Sequence, residues 1–130
     1  MRSSVKLLPL AGGLLMLSGV VSAQDVADGQ KSFNKCRACH TVGENAKNQV
    51  GPSLNGLFGR KAGTVEGFKY SNANKDSAIV WDEKNFAEYI KDPKAFMPGN
   101  IMTFAGIKND KEIKDLTAFL AQFGPDGKKK

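Results

Sequence analysis

The chain has 130 residues, with 19 Lys and Arg against 13 Asp and Glu, a formal net charge of +6, and 41% hydrophobic content. That length is enough for one small domain behind a leader and leaves no room for a second. The lysines are scattered among acids except at Lys128-Lys129-Lys130, so the basic excess reads as a solvated surface and argues against nucleic-acid binding.

Residues 1–23 are laid out as a secretory signal. Arg2 and Lys6 precede an apolar run from Leu7 to Val21, and Ser22-Ala23 offers small residues for cleavage before Gln24. Pro9, Gly12, Gly13 and Gly19 interrupt the run, which argues against a retained transmembrane helix. A form anchored by an uncleaved leader would differ only in tethering. Residues 24–130 form the expected mature domain, 107 residues with 17 basic against 13 acidic side chains.

The first helix is predicted from Asp25 to Arg37, with Val26, Gly29, Phe33 and Cys36 at three- and four-residue spacing. Glycine inside a helix costs about 1 kcal/mol relative to alanine, so Gly29 points to close approach of another backbone. Then comes Cys36-Arg37-Ala38-Cys39-His40, which contains the chain's only cysteines and only histidine. A C-x-x-C-H run reads as a c-type haem attachment site: the thiols lie one turn apart, within reach of the two porphyrin vinyl groups, and the histidine reaches the iron. The competing readings are weaker. A thioredoxin-like centre expects a βαβ setting, zinc needs a fourth ligand, and a disulfide here would close too short a loop to stabilise much.

From Thr41 to Gly67 the sequence is glycine-rich and aperiodic, as expected of Ω-type loops wrapped over a ligand. Short helices are predicted at Ser71 to Lys75 and at Asp82 to Lys91. The second carries Phe86, Tyr89 and Ile90 on one face and is preceded by Trp81. Asp92-Pro93 ends it and opens a further turn through Phe96. In the last helix Asn109 and Glu112 fit a capping box, and Ile113, Leu116, Phe119, Leu120 and Phe123 supply the apolar stripe. Gly124 can close that helix, Pro125 forbids continuation, and the lysine tail is expected to fray. No strand-length alternation occurs, so the fold class is all-α, four to five short helices with the haem as the missing core. Without haem the chain should be largely unfolded.

Function then turns on the second axial position. A vacant site invites peroxide or gas-ligand chemistry, whereas a second strong ligand gives an electron carrier. No other histidine exists, which leaves Met97 and Met102 in the domain. Met97 reads equally well as a core plug; Met102 lies between Pro98-Gly99 and Phe104-Ala105-Gly106, and loop placement favours it. Lysine would first have to lose its proton.

Dense matches identify a resemblance. Cys36-Arg37-Ala38-Cys39-His40-Thr41-Val42, Gly51-Pro52-Ser53-Leu54-Asn55-Gly56, Gly67-Phe68-Lys69-Tyr70, Tyr89-Ile90-Lys91-Asp92-Pro93 and Pro98-Gly99-Asn100-Ile101-Met102 resemble class I cytochrome c, short bacterial c2 type, close to the mitochondrial protein. The resemblance implies the cytochrome c fold and one covalently bound haem c, six-coordinate through His40 and Met102. It implies that Pro52's carbonyl orients the His40 ring, that Tyr70, Trp81, Asn74 and Arg60 hold the propionates, and that Tyr89 lies near the Met102 sulfur. It also implies a monomeric periplasmic electron carrier rather than an enzyme, attached to its haem after export and meeting membranes only peripherally. The donor would be a cytochrome bc-type complex, and the acceptor a photosynthetic reaction centre or a terminal oxidase. Lys31, Lys35, Lys47, Lys94 and Lys108 match the family's docking lysines and would give transient electrostatic docking. Ile101 and Asn109 stand where mitochondrial relatives have lysines, so the basic ring is thinner here.

Overall fold

The computed structural model describes residues 25–130, with Pro9, Gly12 and Gly13 ahead of them. The leader expected over residues 1–23 otherwise lies outside the described residues. Among those described there are five helices, two isolated β-bridges and no strand.

Helix α1 (Val26–Phe33) starts where the Asp25 side chain accepts from the Asp28 N–H. It stops four residues earlier than its apolar spacing predicts. From Asn34 the N–H groups reach back three residues instead of four: Asn34 to Lys31 O at 3.1 Å, Lys35 to Ser32 O at 3.0 Å and Cys36 to Phe33 O at 2.8 Å. That tighter winding converts 34–39 into consecutive turns. The cysteine segment therefore leaves the helix axis, with Cys36 O accepting from the N–H groups of Cys39 and His40.

The other helices begin at the local signals named above. Helix α2 (Asn72–Asp76) is capped by Ser71, and α4 (Pro93–Phe96) by Asp92 with proline in its first turn. Helix α3 (Glu83–Lys91) has the reciprocal box, Asn85 N–H to Asp82 Oδ1 and Asp82 N–H to Asn85 Oδ1, each 2.8 Å. Helix α5 (Asp110–Ala121) has only half of its expected box. Asn109 Oδ1 accepts from the Glu112 N–H, but the Glu112 carboxylate turns away to α1, taking Ser32 Oγ at 3.0 Å and Lys35 Nζ at 2.5 Å.

α1 and α5 cross in close contact, and Gly29 is the reason they can. A Cβ built there would lie 2.0 Å from Asp115 O and 2.8 Å from Phe119 Cβ. Around the crossing Phe33 and Phe119 pack with ring centroids 5.3 Å apart, and Leu116 is fully buried. Asp115 is buried as well. It accepts from the Asp25 N–H at 2.9 Å and from Lys111 Nζ at 2.8 Å, and these two donors, the backbone one first, hold its carboxyl below the usual range.

The lysine tail is not frayed. Pro125 to Gly127 turns the chain back so that Gly124 N–H donates to Lys128 O, Phe123 bridges Lys129, and Lys130 N–H donates to Gln122 O at 2.9 Å. Gly127 (φ +79°) rests so closely on Gly43 that a Cβ would come within 2.1 Å of its carbonyl oxygen. The tail thereby closes over the 43–56 loop.

Candidate functional site

Ten residues predicted to form the site converge on one cavity: Cys36, Cys39, His40, Pro52, Arg60, Tyr70, Asn74, Trp81, Tyr89 and Met102. They come from the turns after α1, the glycine-rich loops, α2, α3 and the loop after α4. Met97 is absent from the lining and sits in the core at 4% exposure, so the sulfur that faces the cavity is that of Met102.

His40 Nδ1 lies 2.8 Å from Pro52 O. A carbonyl only accepts, so Nδ1 carries the proton and Nε2 keeps its lone pair. Burial first lowers the pKa of the ring and so favours this neutral form. The ring lies flat against the loop at Gly51, where a Cβ would meet His40 Cε1 at 2.2 Å. Sequence reasoning missed Gly51, although a glycine directly before the proline that orients the ring was a readable signal.

Cys36 and Cys39 are unpaired and half-buried, and burial pushes the Cys36 thiol up to about 11. A dithiol redox centre needs a stabilised thiolate, so this environment disfavours it. Both sulfurs line the cavity, placed where the two vinyl groups of a haem could be joined to them. Among the described residues no group of three or more His, Cys, Asp or Glu side chains is placed to hold a metal ion.

On the methionine side, Tyr89 Oη donates to Met102 Sδ at 3.5 Å. Burial pushes the Tyr89 phenol up to about 12, keeping it a donor. Its ring packs 5.0 Å from Trp81 and 5.9 Å from Phe96, which fixes where the hydroxyl points. Asn100, within the matched motif but given no role by sequence reasoning, bonds to the Met102 backbone through its side chain.

A third corner is polar. Arg60 Nη1 donates to Ser53 O at 2.9 Å and Asn55 O at 3.0 Å, so part of its expected propionate role is taken by loop carbonyls. Tyr70 Oη accepts from the Val65 N–H at 3.1 Å. Asn74 Oδ1 is buried with no protein partner; exchanging its amide O and N would put an N–H donor at that place. A cation, a phenol and an unsatisfied amide at the edge of an apolar cavity fit the two carboxylates of a haem.

The docking lysines lie outside this lining, except Lys35 at its edge. Lys31 approaches Asp28 at 3.7 Å, and Lys35 pairs with Glu112. Lys108 Nζ donates to Lys91 O, and Lys47 lines a separate open groove shared with Arg60. Lys94 is exposed on α4, and neither it nor Lys47 has an ion pair among the described residues.

The cytochrome c family model matches residues 26–123. The chain belongs to the cytochrome c family. Cytochrome c2 from Rhodoplanes tepidamans is 64% identical over 107 residues, 82% of this chain and all of that one. Cytochrome c2 from Blastochloris viridis is 53% identical over 124 residues, 93% of this chain and 98% of that one. Among solved structures, cytochrome cH from Methylobacterium extorquens superposes with a TM-score of 0.70 at 41% identity, covering 75% of this chain and 97% of that one. This is a class I cytochrome c of the bacterial c2 type, an electron-transfer protein with covalently bound haem c rather than an enzyme. No helix among the described residues is long and apolar enough to cross a membrane.

Proposed function

We propose that this cytochrome is a periplasmic one-electron carrier, taking electrons from a cytochrome bc-type complex and passing them to a photosynthetic reaction centre or a terminal oxidase. Cys36 and Cys39 would carry the thioether links, and His40 Nε2 and Met102 Sδ would be the two protein ligands of the haem iron. One observation carries this: an unprotonated imidazole nitrogen and a thioether sulfur face the same cavity, each steadied by its own hydrogen bond from behind.

Bound haem supplies a one-electron couple at its iron. The chain's own residues set its terms. Pro52 O fixes the imidazole plane and raises its basicity, and the Tyr89 hydroxyl restrains the sulfur. A soft thioether and a lining dominated by apolar side chains such as Leu57, Phe86 and Ile90 favour the state with less charge, which raises the potential. With His40 and Met102 both given to the iron, the chain would leave it no open site for peroxide. Arg60, Tyr70, Trp81 and Asn74 would hold the propionate edge.

For docking, Lys47 and Lys94 supply uncompensated positive charge, while Lys31 and Lys35 are partly neutralised by Asp28 and Glu112. Ile101, beside Met102, is 69% exposed where a further lysine would have strengthened the field. Association should therefore be brief and only moderately salt-sensitive. The leader pattern supports export, and so does the Rhodoplanes tepidamans relative, matched over its whole length by 107 residues, the length left after cleavage at Ala23.

An absorption spectrum of the purified holoprotein tests the reading. Both oxidation states should be low-spin, the oxidised form should show the weak long-wavelength sulfur-to-iron band, and carbon monoxide should not bind readily at neutral pH. Met102→Ala should lose the band and take up carbon monoxide. A high-spin wild-type protein would overturn the assignment.

A further inference from the structure

The segment joining α4 to α5 has no regular element to hold it, yet it must present one sulfur at one place. Between Met97 and Met102 its backbone support is a single turn, Asn100 N–H to Met97 O at 3.1 Å, with Gly99 at φ +88°. The Asn100 side chain supplies the rest. Nδ2 donates to Pro93 O and to Met97 O, each at 2.8 Å, while Oδ1 accepts from the Met102 N–H at 2.9 Å. Pro93 is under 2% exposed and Met97 is 4% exposed, so two of the three partners belong to residues anchored in the core. The third is the backbone of Met102 itself. Ile101 between them is 69% exposed and adds little packing.

We propose that Asn100 is a positioning residue, a primary-amide strut that ties the Met102 backbone to Pro93 and Met97, the two buried residues that bound α4, and sets how firmly the thioether is held in the cavity. The inference rests on the reading of Met102 as axial ligand. The chemistry calls for an amide of this length. Two carbonyls need N–H donors while the Met102 N–H needs an acceptor, and one planar group offers both. Aspartate keeps the acceptor but turns a carboxylate oxygen toward two carbonyls. Serine offers a single donor on a shorter arm, and glutamine places the same groups one methylene too far.

The test is a titration of the oxidised holoprotein with free imidazole, followed through the sulfur-to-iron band. In Asn100→Ala imidazole should displace the sulfur at about tenfold lower concentration than in wild type, the factor expected from losing roughly 1.4 kcal/mol of net hydrogen bonding. Asn100→Asp should shift at least as far, and Asn100→Ser less. Amide exchange at Met102 should quicken by a similar factor, while amides in α1 and α5 keep their protection. Should the alanine variant fail to accumulate, the serine variant gives the same comparison with a smaller shift. Equal imidazole midpoints in wild type and variants would overturn the proposal, as would faster exchange spread evenly over α1, α5 and the loop. A wild-type protein with no sulfur-to-iron band removes the Met102 assignment itself, and the strut falls with it.

Discussion

The α1–α5 crossing and the methionine loop are built on opposite plans. At the crossing, helix backbone meets helix backbone over Gly29, aromatic rings interdigitate, and Asp115, Glu112, Lys111 and Lys35 tie the two helices at the edges. Across the cavity, the 97–106 segment has no helix or strand and is held by one asparagine, one tyrosine and a few turn bonds. The first region is complete as protein. The second presents Met102 and Phe104 to a cavity that Leu116 and Leu120 of α5 also line, a cavity fit for the haem, so the methionine side depends on the cofactor in a way the crossing does not.

The harshest way to break this comparison is to remove the attachment. A Cys36→Ala, Cys39→Ala chain should lose most of its helical circular dichroism, because the crossing alone leaves the ordering cost of the loops uncompensated. A native-like spectrum would show that the methionine side stands unaided. The next effect comes from the other half. Gly29→Ala forces a methyl group against the Asp115 carbonyl, where only backbone could give way, and should cost about 3 kcal/mol in denaturant unfolding of the holoprotein. An unchanged midpoint would mean that the helices can part without loss.

The smallest effect depends on pH. The Asp115 carboxyl is held below its ordinary value by the Asp25 N–H and Lys111, so the native pKa lies under the unfolded one. Its contribution is therefore present above the unfolded value, roughly 4, and is lost as pH falls through the lower native value. The melting-temperature gap between wild type and Asp115→Asn should be constant from pH 5 to 7, spanning about 5 to 7 on the same linkage argument, and shrink in more acidic buffer. A gap that widens in acid would remove Asp115 from the account.

What the sequence made legible was chemistry confined to a few neighbouring residues. Cys36, Cys39 and His40 announce themselves within one turn, and Asp82, Asp92 and Asn109 each cap a helix through an amide three residues on. Gly29 was legible too, since a poor helix former inside an amphipathic stripe needs a neighbour to justify it. What stayed hidden depends on partners far along the chain. Glu112 abandons its own cap for Ser32 and Lys35, 80 and 77 residues away, and no local pattern records that competition. Arg60 is drawn partly to loop carbonyls, and the lysine tail finds Gln122 and Gly43 only after α5 has set its exit direction. The choice between Met97 and Met102 lay between these extremes. Loop placement favoured Met102 and family resemblance pointed the same way, and the fold puts Met97 in the core and Met102 in the cavity lining.

The crossing also has a consequence for the order of events in synthesis. Among the described residues the first element, α1, has its main partner in the last, α5, so no intermediate length of the growing polypeptide can complete the pair. A C-terminal truncation that reaches α5 would leave α1 without its contact surface, and the cysteine turn beyond it would hang from an unsupported arm. Such a chain stays open until α5, which begins only at Asp110, is available, a state in which the two thiols remain accessible for attachment.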